Sequence, residues 1–134
     1  MWERGSGVPS RIDPQTNKAR LISVGHGSEL CVDPHPDGVW VSDDVAESVT
    51  HLDPNGKVVT AIKVGSHPSD GTRGPDGLEW IPLMGDGAIV RIDPATDKVV
   101  DTVPLVGRPF VARTAFGSVW VGDFAGTQLW RLTP

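Results

Sequence analysis

The stretch Gly38-Val39-Trp40-Val41, closed ten residues on by Val49-Thr50-His51-Leu52-Asp53-Pro54, decides the reading of this chain, because its landmarks return every 40 residues. Tryptophan recurs as Trp40, Trp80 and Trp120, and Asp-Pro recurs as Asp13-Pro14, Asp53-Pro54 and Asp93-Pro94. The residue before each Asp-Pro is Ile12, Leu52 or Ile92, with Leu132 in the same column. One place earlier stand Arg11, His51, Arg91 and Arg131. Several columns sharing one interval mark an internal repeat.

Each unit reads as four short strands. Val39-Trp40-Val41 and Val119-Trp120-Val121 are β-rich runs entered through Gly turns, Pro36-Asp37-Gly38 and Phe116-Gly117-Ser118. A second strand ends at the Asp-Pro, and a third follows it, clearest over residues 57–64. That strand closes on Val24-Gly25, Val64-Gly65 or Val106-Gly107. A fourth, Leu30-Cys31-Val32 or Phe110-Val111-Ala112, leads into the next Gly turn. No window carries a helical apolar period. Gly 16 and Pro 12 in 134 residues supply the turns that so many strands need. The expected fold is all-β, built of four-stranded antiparallel β-propeller blades.

The units resemble the YVTN/YncE-type β-propeller repeat and the related streptogramin (virginiamycin B) lyase-like repeat. The resemblance rests on Gly117-Ser118-Val119-Trp120-Val121, on residues 92–100 (Ile-Asp-Pro-x-Thr-x-Lys-Val-Val), and on Val-Gly followed by Pro at Val64-Gly65-Ser66-His67-Pro68 and Val106-Gly107-Arg108-Pro109. Gly74-Pro75-Asp76-Gly77 before Leu78-Glu79-Trp80 fits the lyase-like pattern. The resemblance implies an innermost strand just before each Trp strand. Residues 1–134 then form a single partial propeller: the outer two strands of a blade (9–24), two whole blades (28–64 and 68–105), and three strands of another (110–132). About three blade equivalents fall short of the roughly 4–8 that close a ring. Completion by a head-to-tail homodimer into a six-bladed ring is therefore expected, residues 110–132 receiving the outer strand, residues 18–24, of the next chain.

The length suits one domain with a real core. Apolar residues at 38% and charged residues at 22% exclude a disordered chain. A net charge of −5 argues against nucleic acid or an anionic membrane as partner, since both call for a basic patch. One cysteine, Cys31, excludes an internal disulfide framework and a thiolate zinc cluster. The opening residues carry no apolar run of signal-peptide type, so a soluble, cytoplasmic protein is the default expectation.

The Trp column reads as packing between blades. Asp13, Asp53 and Asp93 read as turn residues whose carboxylates accept backbone N–H groups two residues on. Among the histidines, spaced 9, 16 and 16, no pair has the separation that sets two imidazoles on one metal. His35, between Pro34 and Pro36, and His51, in an arginine column, read as solvated surface. His26 and His67 follow the Val-Gly that leads into the inner strand and so approach the channel mouth. Glu29, Asp70, Arg73, Arg108 and Arg113 fall in the same segments. Together they are the candidate ligand-binding residues, against an ordinary reading as loop residues.

In streptogramin lyases the stretch after the Trp usually carries Thr-Glu, and His and Glu near the channel act with a magnesium ion. This chain has Ser42-Asp43, Gly122-Asp123 and Pro82-Leu83 there, so no matched His/Glu pair carries over, and no catalytic or metal-binding residue is assigned. Three functions follow: a non-enzymatic scaffold that assembles with itself, a propeller binding a small molecule in its central channel, or a metal-dependent lyase-like enzyme with magnesium or another divalent ion. The first, with no cofactor, is the expectation.

Overall fold

Short apolar runs between turn residues give strands, and among the described residues no helix forms. The structure is a computed structural model that describes residues 8–24 and 30–134. A hairpin of β1 (Ser10–Ile12) and β2 (Ala19–Leu21) comes first. Then β3 (Leu30–His35), β4 (Gly38–Asp43), β5 (Ser48–Leu52) and β6 (Val58–Lys63) form a four-stranded antiparallel sheet in chain order. The next four, β7 (Thr72–Arg73), β8 (Glu79–Leu83), β9 (Ala88–Asp93) and β10 (Lys98–Pro104), repeat that order. A three-stranded sheet of β11 (Pro109–Ala115), β12 (Ser118–Asp123) and β13 (Leu129–Leu132) ends the chain. These meandering sheets are propeller blades.

The side-chain period of two fixes what each blade presents to its neighbours. Asp33 lies opposite Trp40 and His35 opposite Gly38, so Cys31, Asp33 and His35 share the Trp40 face of their sheet. The other face, Val32, Val39, Val41 and Leu52, packs on Ile22 and Val24. In the following sheet Ile81 and Leu83 turn back toward Trp40, joined by Val49, Val90 and Ile92. Trp80 points onward to Ala112, Val119 and Val121. A tryptophan so placed buries about 150–250 Å², roughly 4–6 kcal/mol of gross apolar stabilisation at about 25 cal/mol per Å². The core is thus a row of inter-blade layers.

The two columns of the repeat meet in space. Trp40 pairs across strands with His51, Trp80 with Arg91 and Trp120 with Arg131. His51 stacks on Trp40 with centroids 4.3 Å apart, and the arginines sit 5.1 and 5.3 Å from the Trp80 and Trp120 ring centroids. His51 is therefore half-buried and bonded to Asp97 at 2.7 Å, in contrast to the expected solvated surface position. The turn aspartates accept backbone N–H groups two residues on, from Gln15, Asn55 and Ala95.

Candidate functional site

Glu79 opens β8, in the column that holds Val39 and Val119 in the flanking units. Its backbone follows the strand, so its side chain is carried onto the face that also bears Ile81 and Leu83, between two blades. It is completely buried. A carboxyl there must find partners or lose its charge.

Its partners come from both inner strands. Arg73, across the β7–β8 pair, donates from Nε to Glu79 Oε2 at 3.0 Å. From the preceding blade, His35 Nε2 lies 3.3 Å from Glu79 Oε2 and 3.0 Å from Asp33 Oδ2. Asp37, in the β3–β4 turn, takes the other side of the Arg73 guanidinium at 3.2 and 3.4 Å. Glu79 Oε1 is buried and has no hydrogen-bond partner. Burial pushes the Glu79 carboxyl up to about 9, and the neighbouring Asp33 adds to the push while Arg73 opposes it. The hydrogen bond from Arg73 holds the Asp37 carboxyl below its ordinary range.

Beside this cluster the inner strands carry a second ion pair. Arg113 on β11 reaches Asp70 at 2.6 Å, and its charge is favoured first by that bond and further by Asp33 and Cys31. Thr114 Oγ1 donates to the Arg73 carbonyl at 2.6 Å, tying β11 to β7.

Among the described residues, the sequence-predicted ligand residues lie at different heights along the blades. His26 and Glu29 lie outside the described residues. His67 accepts a backbone bond from Met84, and Arg108 lies over Phe124, with its Nη2 3.7 Å from Met84 Sδ. Both belong to the end of the blades where β8 finishes. Arg73 stands at the opposite end of that strand, roughly 13 Å away for five extended residues, and Asp70 and Arg113 lie between. The strand direction separates what proximity to the Val-Gly landmarks had grouped.

Asp33, His35, Asp37 and Glu79 were missed as site residues. His35 is half-buried inside β3, although its flanking prolines read as a solvated turn. The available signal was Glu79 itself, an acid in a valine column. One donor atom each from Asp33, His35 and Glu79 lies within 4.8 Å of the others. The lyase-like resemblance implies magnesium, which takes oxygen ligands in near-ideal octahedra. The imidazole nitrogen at the centre of this group does not fit that ion, and no chemical step is routed through it.

No protein-family model and no curated protein matches the chain. Solved structures do. The virginiamycin B lyase of Staphylococcus aureus superposes with a TM-score of 0.86 at 17% identity, over 98% of this chain and 47% of that one. A streptogramin B lyase structure gives 0.86 at 17%, over 97% and 46%. The hydrazine synthase of Kuenenia stuttgartiensis gives 0.77 at 19%, over 92% and 38%. The chain thus spans about half the length of the lyases it resembles. At these identities the likeness is one of fold: this chain is built of β-propeller blades.

Proposed function

We propose that the chain is an assembly module, a partial propeller that closes into a six-bladed ring by joining head to tail with a second copy. The observation that carries this reading is the unequal burial of the Trp column. Trp40 and Trp80 are 1% and 2% exposed because a following blade covers them. Trp120 holds the same place in the last sheet and is only half-buried. On its face Leu129 is 65% exposed. At the other flank, the β1–β2 hairpin leaves a cavity of about 270 Å³ against Val32, Val39 and Leu52.

Two further facts support the reading. The last sheet has three strands where the two before it have four, so the edge of β13 offers unpaired backbone groups. The chain's share of the lyase structures is close to one half, so two chains supply the length of such a ring. In the joint, β2 of one chain pairs with β13 of the other. The strands β1 and β13 occupy the same place in the repeat, so one of each such pair is displaced there. Closed cyclic pairing is the outcome that end-to-end complementarity favours.

Light scattering on the full chain should give a dimer mass. Leu129→Asp, which places a charge on an already exposed position of the Trp120 face, should shift that mass to the monomer while the circular dichroism spectrum is kept. A monodisperse wild-type monomer overturns the proposal, as does a dimer whose stability Leu129→Asp leaves unchanged.

A further inference from the structure

From this geometry we infer a binding site for a divalent transition cation of the zinc type between the first two whole blades, with Asp33, His35 and Glu79 as its protein ligands. Nothing in it depends on how the ring closes, because all three residues belong to one chain.

The spacing is the first argument. Zinc holds His nitrogen at about 2.0–2.1 Å and carboxylate oxygen at about 2.0–2.2 Å. Neighbouring ligand atoms around such an ion then stand roughly 3.3–3.6 Å apart, by tetrahedral geometry on those bond lengths. His35 Nε2 lies 3.0 Å from Asp33 Oδ2 and 3.3 Å from Glu79 Oε2. Shifts of a few tenths of an ångström along these two edges, with the third donor pair inside 4.8 Å, bring the donors to a coordination shell.

The second argument is the buried carboxyl. Glu79 replaces a valine in an inter-blade layer, and a packing role needs no acid there. Arg73 and His35 engage only Oε2, and Oε1 has no partner. A buried oxygen left without a bond is costly; without a metal the proton held on the Glu79 carboxyl offsets that cost, and a cation takes the proton's place when bound. A cation held by both oxygens of this carboxylate uses Oε2 at the spacing given and supplies the bond that Oε1 lacks, with Arg73 held by Asp37 and Glu79 as an outer-shell partner that orients the ligand.

The third argument is the donor chemistry. One imidazole and two carboxylates suit zinc or manganese. Three protein ligands leave at least one position for water or a small molecule. The ion would also join two blades, since Asp33 and His35 come from β3 and Glu79 from β8.

The test uses the full chain, stripped with chelator, and zinc chloride alone as the probe. Isothermal titration should show one ion per chain, and the melting temperature should rise with zinc; magnesium at the same concentration should do neither. Glu79→Gln, which keeps the shape, should weaken zinc binding at least tenfold and abolish the thermal shift, as should His35→Gln. Asp101→Asn, at an acid on β10 that pairs with Arg91 outside the cluster, should retain stoichiometric binding within a few-fold of wild type. No binding at millimolar zinc overturns the inference, and so does stoichiometric binding of unchanged affinity in a folded Glu79→Gln protein.

Discussion

Trp80 shows how one side chain can serve three neighbours at once. Its ring fills the layer against Ala112, Val119 and Val121, its indole N–H donates to Asp76 at 2.9 Å, and Arg91 covers its face. Asp76 also lies 3.6 Å from Arg91, so the turn before β8 closes a small polar ring around the indole. Truncation removes packing and leaves Asp76 and Arg91 without their shared partner. Trp80→Ala should cost about 3–5 kcal/mol, the range for a buried aromatic. Trp120 has the same cross-strand arginine and a satisfied N–H, to the Ala115 carbonyl at 3.0 Å, but no following blade. Trp120→Ala should therefore cost clearly less in the isolated monomer. Urea melts of the two variants measure the difference, and equal losses would show that the last sheet is packed as fully as the others.

At the level of strands, the layer between β3 and β8 couples folding to pH. Glu79 keeps its proton in the folded chain up to about 9, whereas an unfolded Glu releases it near 4.5. The folded state then holds more protons than the unfolded state across that interval. The contribution of Glu79 to stability is complete below about 4.5 and declines as pH rises toward 9. In chelator, the urea midpoint of the wild type should fall between pH 5.5 and pH 8.5 by more than that of Glu79→Gln, which has no proton to lose. Parallel declines would count against a protonated Glu79.

The same layer shows what was legible beforehand. The blade order could be read because the Asp-Pro turns, the Val-Gly ends and the Trp strands are local signals that repeat at a fixed interval. Trp and the column of Arg11, His51, Arg91 and Arg131 were each visible, yet their stacking follows only from the cross-strand register. The candidate site resisted for a different reason. Asp33 and His35 sit on one sheet and Glu79 on the next, so no motif spacing joins them. The loop between β7 and β8 is also longer than its counterparts, Arg73 facing Glu79 where His35 faces Gly38. Reading by column therefore places Arg73 with Asp33 and hides that it faces Glu79.

Across the whole molecule, blades meet through more than apolar layers. The N–H of Asp70 donates to the Phe110 carbonyl at 3.1 Å, and the N–H of Ala112 donates to the Asp70 carbonyl at 2.8 Å. This short parallel bridge runs between the inner ends of two different sheets. Its two amide protons are shielded only while the sheets stay together. In native-state hydrogen exchange, the amides of β9 report the unravelling of their own sheet, whereas Asp70 and Ala112 report the hinge between sheets. If the two sheets part before either one melts, Asp70 and Ala112 will exchange together and earlier than the centre of β9. If all these amides exchange at one common free energy, the two sheets form a single cooperative unit, and the bridge is a weld instead of a hinge.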